Sequence, residues 1–223
     1  MESDQNIIQV AIVEDHDIFR KRLSELLFFY KELRLVLIAD SAEDFFQKLN
    51  RQNRDERPQV VLMDIELPGM NGIEAAFRLK QSDQETDIIM FTVFEDDDRI
   101  FDSIQVGASG YLLKDTPIDT VVESIKEMKN GGSPISPSIA RRVFQMMRSQ
   151  KEKTETSEAP FDLTPSEIKI LEQVIEGKTN NEIAEAVFLS PWTVKTHIKN
   201  IYKKMHVNSR AAAVRLALKR NIV

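Results

Sequence analysis

The sequence predicts an α/β domain built on a doubly wound, five-stranded parallel sheet, followed by a second, all-α domain of four short helices. Three observations point there. Short apolar runs alternate with helix-period segments as far as Asn130, a polar stretch follows, and the remainder reads as capped helices alone.

The apolar runs are Ile7–Val13, Leu35–Ala39, Val60–Met63, Ile88–Phe91 and Gly110–Leu113. Between them lie helical patterns at roughly His16–Tyr30, Ala42–Asn50, Ile73–Gln81, Asp96–Val106 and Ile118–Asn130. Strands separated by helices of about 10–15 residues pair in parallel and carry helices on both faces. The unbroken Val60-Val61-Leu62-Met63 suits a strand buried on both sides. Gly131-Gly132-Ser133-Pro134 closes this domain, which spans 1–130.

Residues 131–160 read as a linker with one short helix. Ser136-Pro137 can start it, over Ser138–Met147, and the polar "SQKEKTETSEAP" (Ser149–Pro160) suggests a flexible segment. The second domain occupies 161–223. Thr164 is a good N-cap, with Pro165 at the first helical position and Glu167 completing a capping box. That helix runs to Glu176 and stops at Gly177. Thr179 or Asn180 caps a short helix through Val187, Ser190-Pro191 starts a longer one towards His206, and Ser209 opens a last one towards Lys219. A short helix, a tight connection and a longer helix have helix-turn-helix form. There is no internal repeat.

At 223 residues, with 42% hydrophobic and 30% charged residues, the chain fits two small globular domains. No apolar run approaches the roughly 18 residues of a membrane span. The acidic start lacks the pattern of a signal peptide. The absence of cysteine excludes disulfides, thiolate zinc sites and a cysteine nucleophile, and fits a cytoplasmic protein. The net charge of −6 hides an asymmetry: Met1–Asn130 holds 27 acidic and 15 basic residues, whereas the chain after Glu185 holds eight basic residues and no acid. Charge alone leaves that tail as either a solvated helix or a nucleic-acid surface.

Functional groups of open parallel sheets lie beyond the carboxyl ends of the strands. Those ends here present Glu14-Asp15, Asp64, Thr92 and Lys114. Crowded carboxylates repel, and a hard divalent cation relieves that; Mg²⁺ is the usual choice where phosphate oxygens complete its shell. A metal, rather than a buried partner, is thus expected to compensate Asp64. One carboxylate could attack phosphorus, with the Thr92 hydroxyl and Lys114 ammonium holding the remaining phosphoryl oxygens. Singly, each residue has an ordinary reading as a turn cap, β-former or solvated lysine.

The phrases "VEDHDIFRKRL", "VLMDIELPGMNGIEA" and "GASGYLLKD" resemble the receiver domain of two-component response regulators, over Ile7 to Asn130. The resemblance implies a flavodoxin-like sheet, with Asp64 as phosphoacceptor from a sensor histidine kinase and no enzymatic turnover beyond its own phosphoryl uptake and loss. It implies Asp15 as a direct Mg²⁺ ligand, Glu14 acting through a water, and Glu66 giving its backbone carbonyl. Thr92 and Lys114 would hold the phosphoryl group. Tyr111 falls at the switch-aromatic position, though it also reads as an edge-strand aromatic packed on a helix. Glu66 and Phe94 fall at the two variable rim positions, where Phe94 is expected to shield the phosphoryl group from water. Many receivers carry Pro directly after the lysine; here Asp115 follows and Pro117 comes later.

From Leu163 to Val214 the chain resembles the LuxR/NarL-type DNA-binding domain. Val194, Ile198, Ile201 and Met205 form one apolar stripe of its longer helix, and Lys195, Thr196, Lys199 and Lys203 point elsewhere together. Such a helix can enter the major groove of double-stranded DNA. Lys195 and Lys199 are expected nearest the bases, with Lys203, Lys204 and Arg210 nearer phosphates and Thr193 meeting a phosphate at the helix start. Trp192 packs either on sugar-phosphate or on the preceding turn; His197 reads as packed or solvated. The last helix matches a family dimer contact, so a homodimer on DNA or on phosphorylation is implied.

Two other functions stay open at this level. One is a constitutive DNA-binding protein whose first domain only binds partners. The other is a Mg²⁺-dependent phosphohydrolase, although Asp64-Ile65-Glu66 lacks the second aspartate such enzymes often carry.

Overall fold

The computed structural model describes residues 7–156, 161, 163–187, 189, 191–220 and 222, with side chains at 149–156 and 192 left undescribed. It divides into two compact units, Met1–Phe144 and Gln145–Val223.

The first unit contains β1 (Ile8–Val13), α1 (Asp17–Phe28), β2 (Leu33–Ala39), α2 (Ala42–Leu49), β3 (Val60–Met63), α3 (Gly72–Ser82), β4 (Asp87–Thr92), α4 (Asp97–Gln105), β5 (Gly110–Leu113) and α5 (Ile118–Lys129). The strands form one sheet in the order β2-β1-β3-β4-β5, and every neighbouring pair is parallel, as the alternating pattern predicts. Val10, Ile12, Val60, Leu62, Ile89 and Phe91 pack on Leu23 and Leu27 of α1 and on Val121, Val122 and Ile125 of α5. Their neighbours Val61, Met63, Ile88 and Met90 are equally buried and, by strand alternation, fill the other face. Burying each such side chain contributes about 1.5–3 kcal/mol, so the sheet is rigid enough to fix groups at its ends.

Local chemistry sets where helices begin. Ser41, Asn71 and Asp96 cap α2, α3 and α4, each accepting the backbone N–H three residues on. The β3–α3 loop folds back hard on the strand: the Gly72 N–H donates to the Ile65 carbonyl at 2.9 Å. A Cβ at Gly72 would lie 1.8 Å from the Asp64 carbonyl oxygen, so only glycine fits there.

After α5 the chain stays with the sheet. The Tyr111 N–H donates to Pro134 O, the Ser136 N–H donates to Tyr111 O, and the Leu113 N–H donates to Ser136 Oγ. Pro134 to Ser136 thus cover the free edge of β5, which would otherwise expose unpaired backbone groups. Helix α6 then runs over Pro137–Thr156, and its Arg142 pairs with Glu95 and Asp97 at 3.8 and 3.3 Å. The short Ser138–Met147 helix and the flexible stretch from Ser149 are corrected here. Lys, Glu and Gln favour helix without needing an apolar face, and a low apolar content cannot distinguish such a helix from a linker. Ser157–Pro160 lies outside the described residues.

The second unit holds α7 (Pro165–Ile175), α8 (Asn180–Val187), α9 (Pro191–Lys204) and α10 (Arg210–Lys219). Thr164 and Glu167 form the capping box, Gly177 ends α7 at φ +85°, Ser209 caps α10, and Thr179 rather than Asn180 receives the Glu182 N–H. Ser190 lies outside the described residues. The helices close on Ile170, Leu171, Val174, Ile183, Val194, Ile198, Ile201 and Met205. Among the described residues, no helix is long and apolar enough to cross a membrane.

Candidate functional site

Parallel register brings the carboxyl ends of the strands level. Val13 lies beside Met63, Met63 beside Met90, and Thr92 beside Leu113. The residues that follow are fixed by backbone bonds: Asp64 N–H to Val13 O at 3.0 Å and Lys114 N–H to Thr92 O at 2.9 Å. Four of the predicted residues therefore meet at one edge.

Their side chains form a charged cluster. Lys114 Nζ lies 2.6 Å from Glu14 Oε2 and 2.9 Å from Asp64 Oδ2. Glu14 and Asp64 are buried, while Asp15 is exposed. The second Asp64 oxygen, Oδ1, accepts the Ile65 N–H at 2.7 Å, and Glu14 Oε1 accepts the His16 N–H. Burial raises the Glu14 pKa above the usual carboxylate value, opposed by the Lys114 hydrogen bond and reinforced by the Asp64 charge. Burial pulls the Lys114 ammonium down, but the bonds and charges of Glu14 and Asp64 together outweigh it and its pKa is raised. The expectation that Asp64 lacks a protein partner is thus corrected, while the acidic cluster around it keeps the donor set expected for a metal. A lysine one strand beyond β4 reaches both acids, and their separation in sequence concealed it.

One carboxylate oxygen from each of Glu14, Asp15 and Asp64 lies within 4.8 Å of the other two. An all-oxygen, anionic donor set of this size suits a hard divalent cation. Thr92 is fully buried, and its Oγ1 has no hydrogen-bond partner among the described residues. A buried hydroxyl without a partner is costly, and an added oxygen ligand would satisfy it. Tyr111 is buried with its hydroxyl donating to Phe94 O at 2.9 Å. Burial, with the nearby Asp96 charge, pushes that hydroxyl far above the usual tyrosine value, so it stays a donor. The Lys114–Asp115 bond is trans.

Two arginines escaped notice in the sequence. Arg20 donates to the carbonyls of Glu14 and Asp15 at 2.8 and 3.1 Å, bracing the acidic turn. Arg99 lies 3.6 Å over the Phe94 ring and 3.3 Å from Glu66 Oε1. Neither differs in sequence from a solvated arginine on a helix.

In the helical unit, Lys195, Lys199 and Lys203 are exposed along one stripe of α9, and Thr196 is half-buried. Thr193 is buried beside Val194, on the edge of the apolar stripe. His197 is packed. Lys204 and Arg210 are also engaged internally. Lys204 pairs with the buried Glu167 at 2.7 Å, and Arg210 donates to the carbonyls of Val174 and Lys178. The Trp192 side chain lies outside the described residues.

Residues 10–126 match the response regulator receiver domain family, and residues 162–217 match the bacterial regulatory proteins of the luxR family. The chain is a response regulator of the NarL/LuxR type. It is 31% identical to the transcriptional regulatory protein DegU of Brevibacillus brevis, over 95% of this chain and 93% of that one. It is 32% identical to the transcriptional regulatory protein LiaR of Bacillus subtilis, over 97% and 100%. Among solved structures it resembles the response regulator ChrA of a heme-sensing two-component system. Identity there is 26% and the TM-score 0.51, over 98% of this chain and 100% of that one. A receiver joined to a LuxR-type domain makes this response regulator a transcriptional regulator.

The receiver's acidic pair depends on its lysine for charge balance. Lys114→Met should therefore lower receiver stability by about 3–5 kcal/mol in the absence of divalent cation, because two buried carboxylates lose their counter-charge. Native-state hydrogen exchange of the β1 and β3 amides reads this directly; unchanged protection would contradict it.

Proposed function

We propose that this response regulator is switched by phosphorylation of Asp64 by a sensor histidine kinase, and that its 161–223 domain then binds promoter DNA as a homodimer. In this reading residues 1–130 are the receiver, 131–160 the connector, and the protein works in the cytoplasm, where its DNA lies. The observation that carries it is that a buried, lysine-bonded Asp64 and a fully buried Thr92 hydroxyl with no partner among the described residues stand at the same end of the sheet.

Each residue has a defined task. An Asp64 carboxylate oxygen attacks phosphorus, and the bond from phosphorus to the donor's imidazole nitrogen breaks, its electron pair leaving with the imidazole. Lys114 moves its hydrogen bonds from carboxylate to phosphoryl oxygen, and Thr92 donates to another. Asp15 and Asp64 would hold Mg²⁺ directly and Glu14 through a water, with the Glu66 backbone carbonyl as a further ligand. The ion would supply charge neutralisation at the phosphoryl oxygens. Tyr111 follows Thr92: it already bonds the backbone two residues beyond, so a shift of Thr92 changes the loop leading to α4. Phosphoryl uptake and loss at Asp64 are the only chemistry assigned to the protein.

Incubation with acetyl phosphate and Mg²⁺ tests the first half. Intact mass should show one added phosphoryl group on the wild type, none on Asp64→Asn, and slower gain on Asp15→Ala at a fixed Mg²⁺ concentration. An equal gain on Asp64→Asn would refute the assignment.

The DNA half rests on the exposed lysines of α9. Lys195→Ala and Lys199→Ala should each cost about 1–3 kcal/mol at the specific site, with little change on random DNA. Lys203→Ala should weaken every sequence alike and lower the salt slope by about 0.9. Equal losses on specific and random DNA for Lys195→Ala would remove α9 as the recognition helix.

A further inference from the structure

Arg99 ties together the two loops that border Asp64. Glu66 stands two residues past Asp64 after β3, and Phe94 stands two past Thr92 after the adjacent β4. Arg99 sits in the first turn of α4, its backbone N–H donating to the capping Asp96 at 3.1 Å. Its guanidinium lies 3.6 Å above the Phe94 ring centroid, and its Nη2 lies 3.3 Å from Glu66 Oε1. The Arg99 side chain is 23% exposed and that of Glu66 65% exposed, so the arginine is the anchored partner. From the other side, the Tyr111 hydroxyl holds the Phe94 carbonyl. Phe94 is thus fixed at its backbone by Tyr111 and at its ring by Arg99.

We infer that Arg99 is a positioning residue that sets how long the phosphoryl group stays on Asp64. The inference rests on Asp64 being the phosphoacceptor. Loss of the phosphoryl group requires a water oxygen to attack phosphorus in line with the bond to Asp64. That bond then breaks, its electron pair returns to the Asp64 carboxylate, the water proton passes to solvent, and inorganic phosphate leaves. Two rim groups act on that water in opposite directions. The Phe94 ring, on the loop that follows Thr92, offers that water only apolar surface and no hydrogen bond, while a free Glu66 carboxylate could orient it. Arg99 weighs on both. Its planar cation holds the ring in place, and the same group binds the carboxylate that would otherwise assist. A lysine cannot do both equally well, since it keeps the charge for Glu66 but not the flat face for Phe94.

The test follows phosphoryl loss by intact mass on the full chain, loaded with acetyl phosphate at fixed Mg²⁺. Arg99→Ala should lose the group about two- to fivefold faster than wild type, the rate ratio matching the 0.5–1 kcal/mol of an exposed cation–π contact. Arg99→Lys should fall between the two. Glu66→Ala should slow loss in the Arg99→Ala background and change it less in the wild type, because only a released Glu66 can orient water. Equal loss from wild type and Arg99→Ala would overturn the role of Arg99, as would strictly additive effects of Arg99→Ala and Glu66→Ala. No phosphoryl gain on the wild type at all would instead overturn the assignment of Asp64.

Discussion

Lys114, bonded at once to Glu14 and Asp64, is the contact on which the receiver's functional edge depends. Each carboxylate follows a strand whose side chains are buried, and a lone ionised carboxylate so placed would have to protonate or drag water inward. Parallel register removes the choice by setting β1, β3 and β5 ends level with one another. The lysine offsets both acids at one distance scale, leaving the exposed Asp15 as the acid free of that pairing. A cluster in this balance is poised rather than inert. A divalent cation can take over the lysine's electrostatic task, and the freed ammonium then has hydrogen bonds to give to another anion.

The same rule shapes the helical unit, with a different outcome. Glu167 is buried because its carboxylate closes the capping box of α7, accepting the Thr164 N–H at 2.7 Å. Lys204, from the end of α9, supplies the compensating charge. Arg210 spends its guanidinium on the carbonyls that end α7 and follow Gly177. Two of the eight basic residues after Glu185 therefore hold the bundle together. Lys195, Lys199 and Lys203 project from α9, so a structural set and a surface set share one basic segment.

The sheet, its helices and the residues at its carboxyl edge were legible because periodicity and strand ends are local signals. Val60–Met63 reads as a buried strand from four consecutive apolar residues, and Thr164-Pro165 with Glu167 announces a helix start within four positions. What stayed hidden depends on distance through space. Lys114 reaching two acids, Arg99 bridging two loops and Lys204 meeting Glu167 each join residues far apart in the chain. The extent of α6 was hidden for another reason. A polar helix and a polar linker share one composition, so apolar periodicity has nothing to report.

The reading of this edge as a phosphoryl site turns on which atom carries the group. Borohydride reduces an acyl phosphate to the corresponding alcohol, leaving a permanent mark that peptide mass spectrometry can locate. After acetyl phosphate and Mg²⁺ treatment of the wild type, reduction should appear at Asp64 alone. Reduction at Glu14 or Asp15, or phosphate retained through borohydride on a hydroxyl or imidazole, would contradict it.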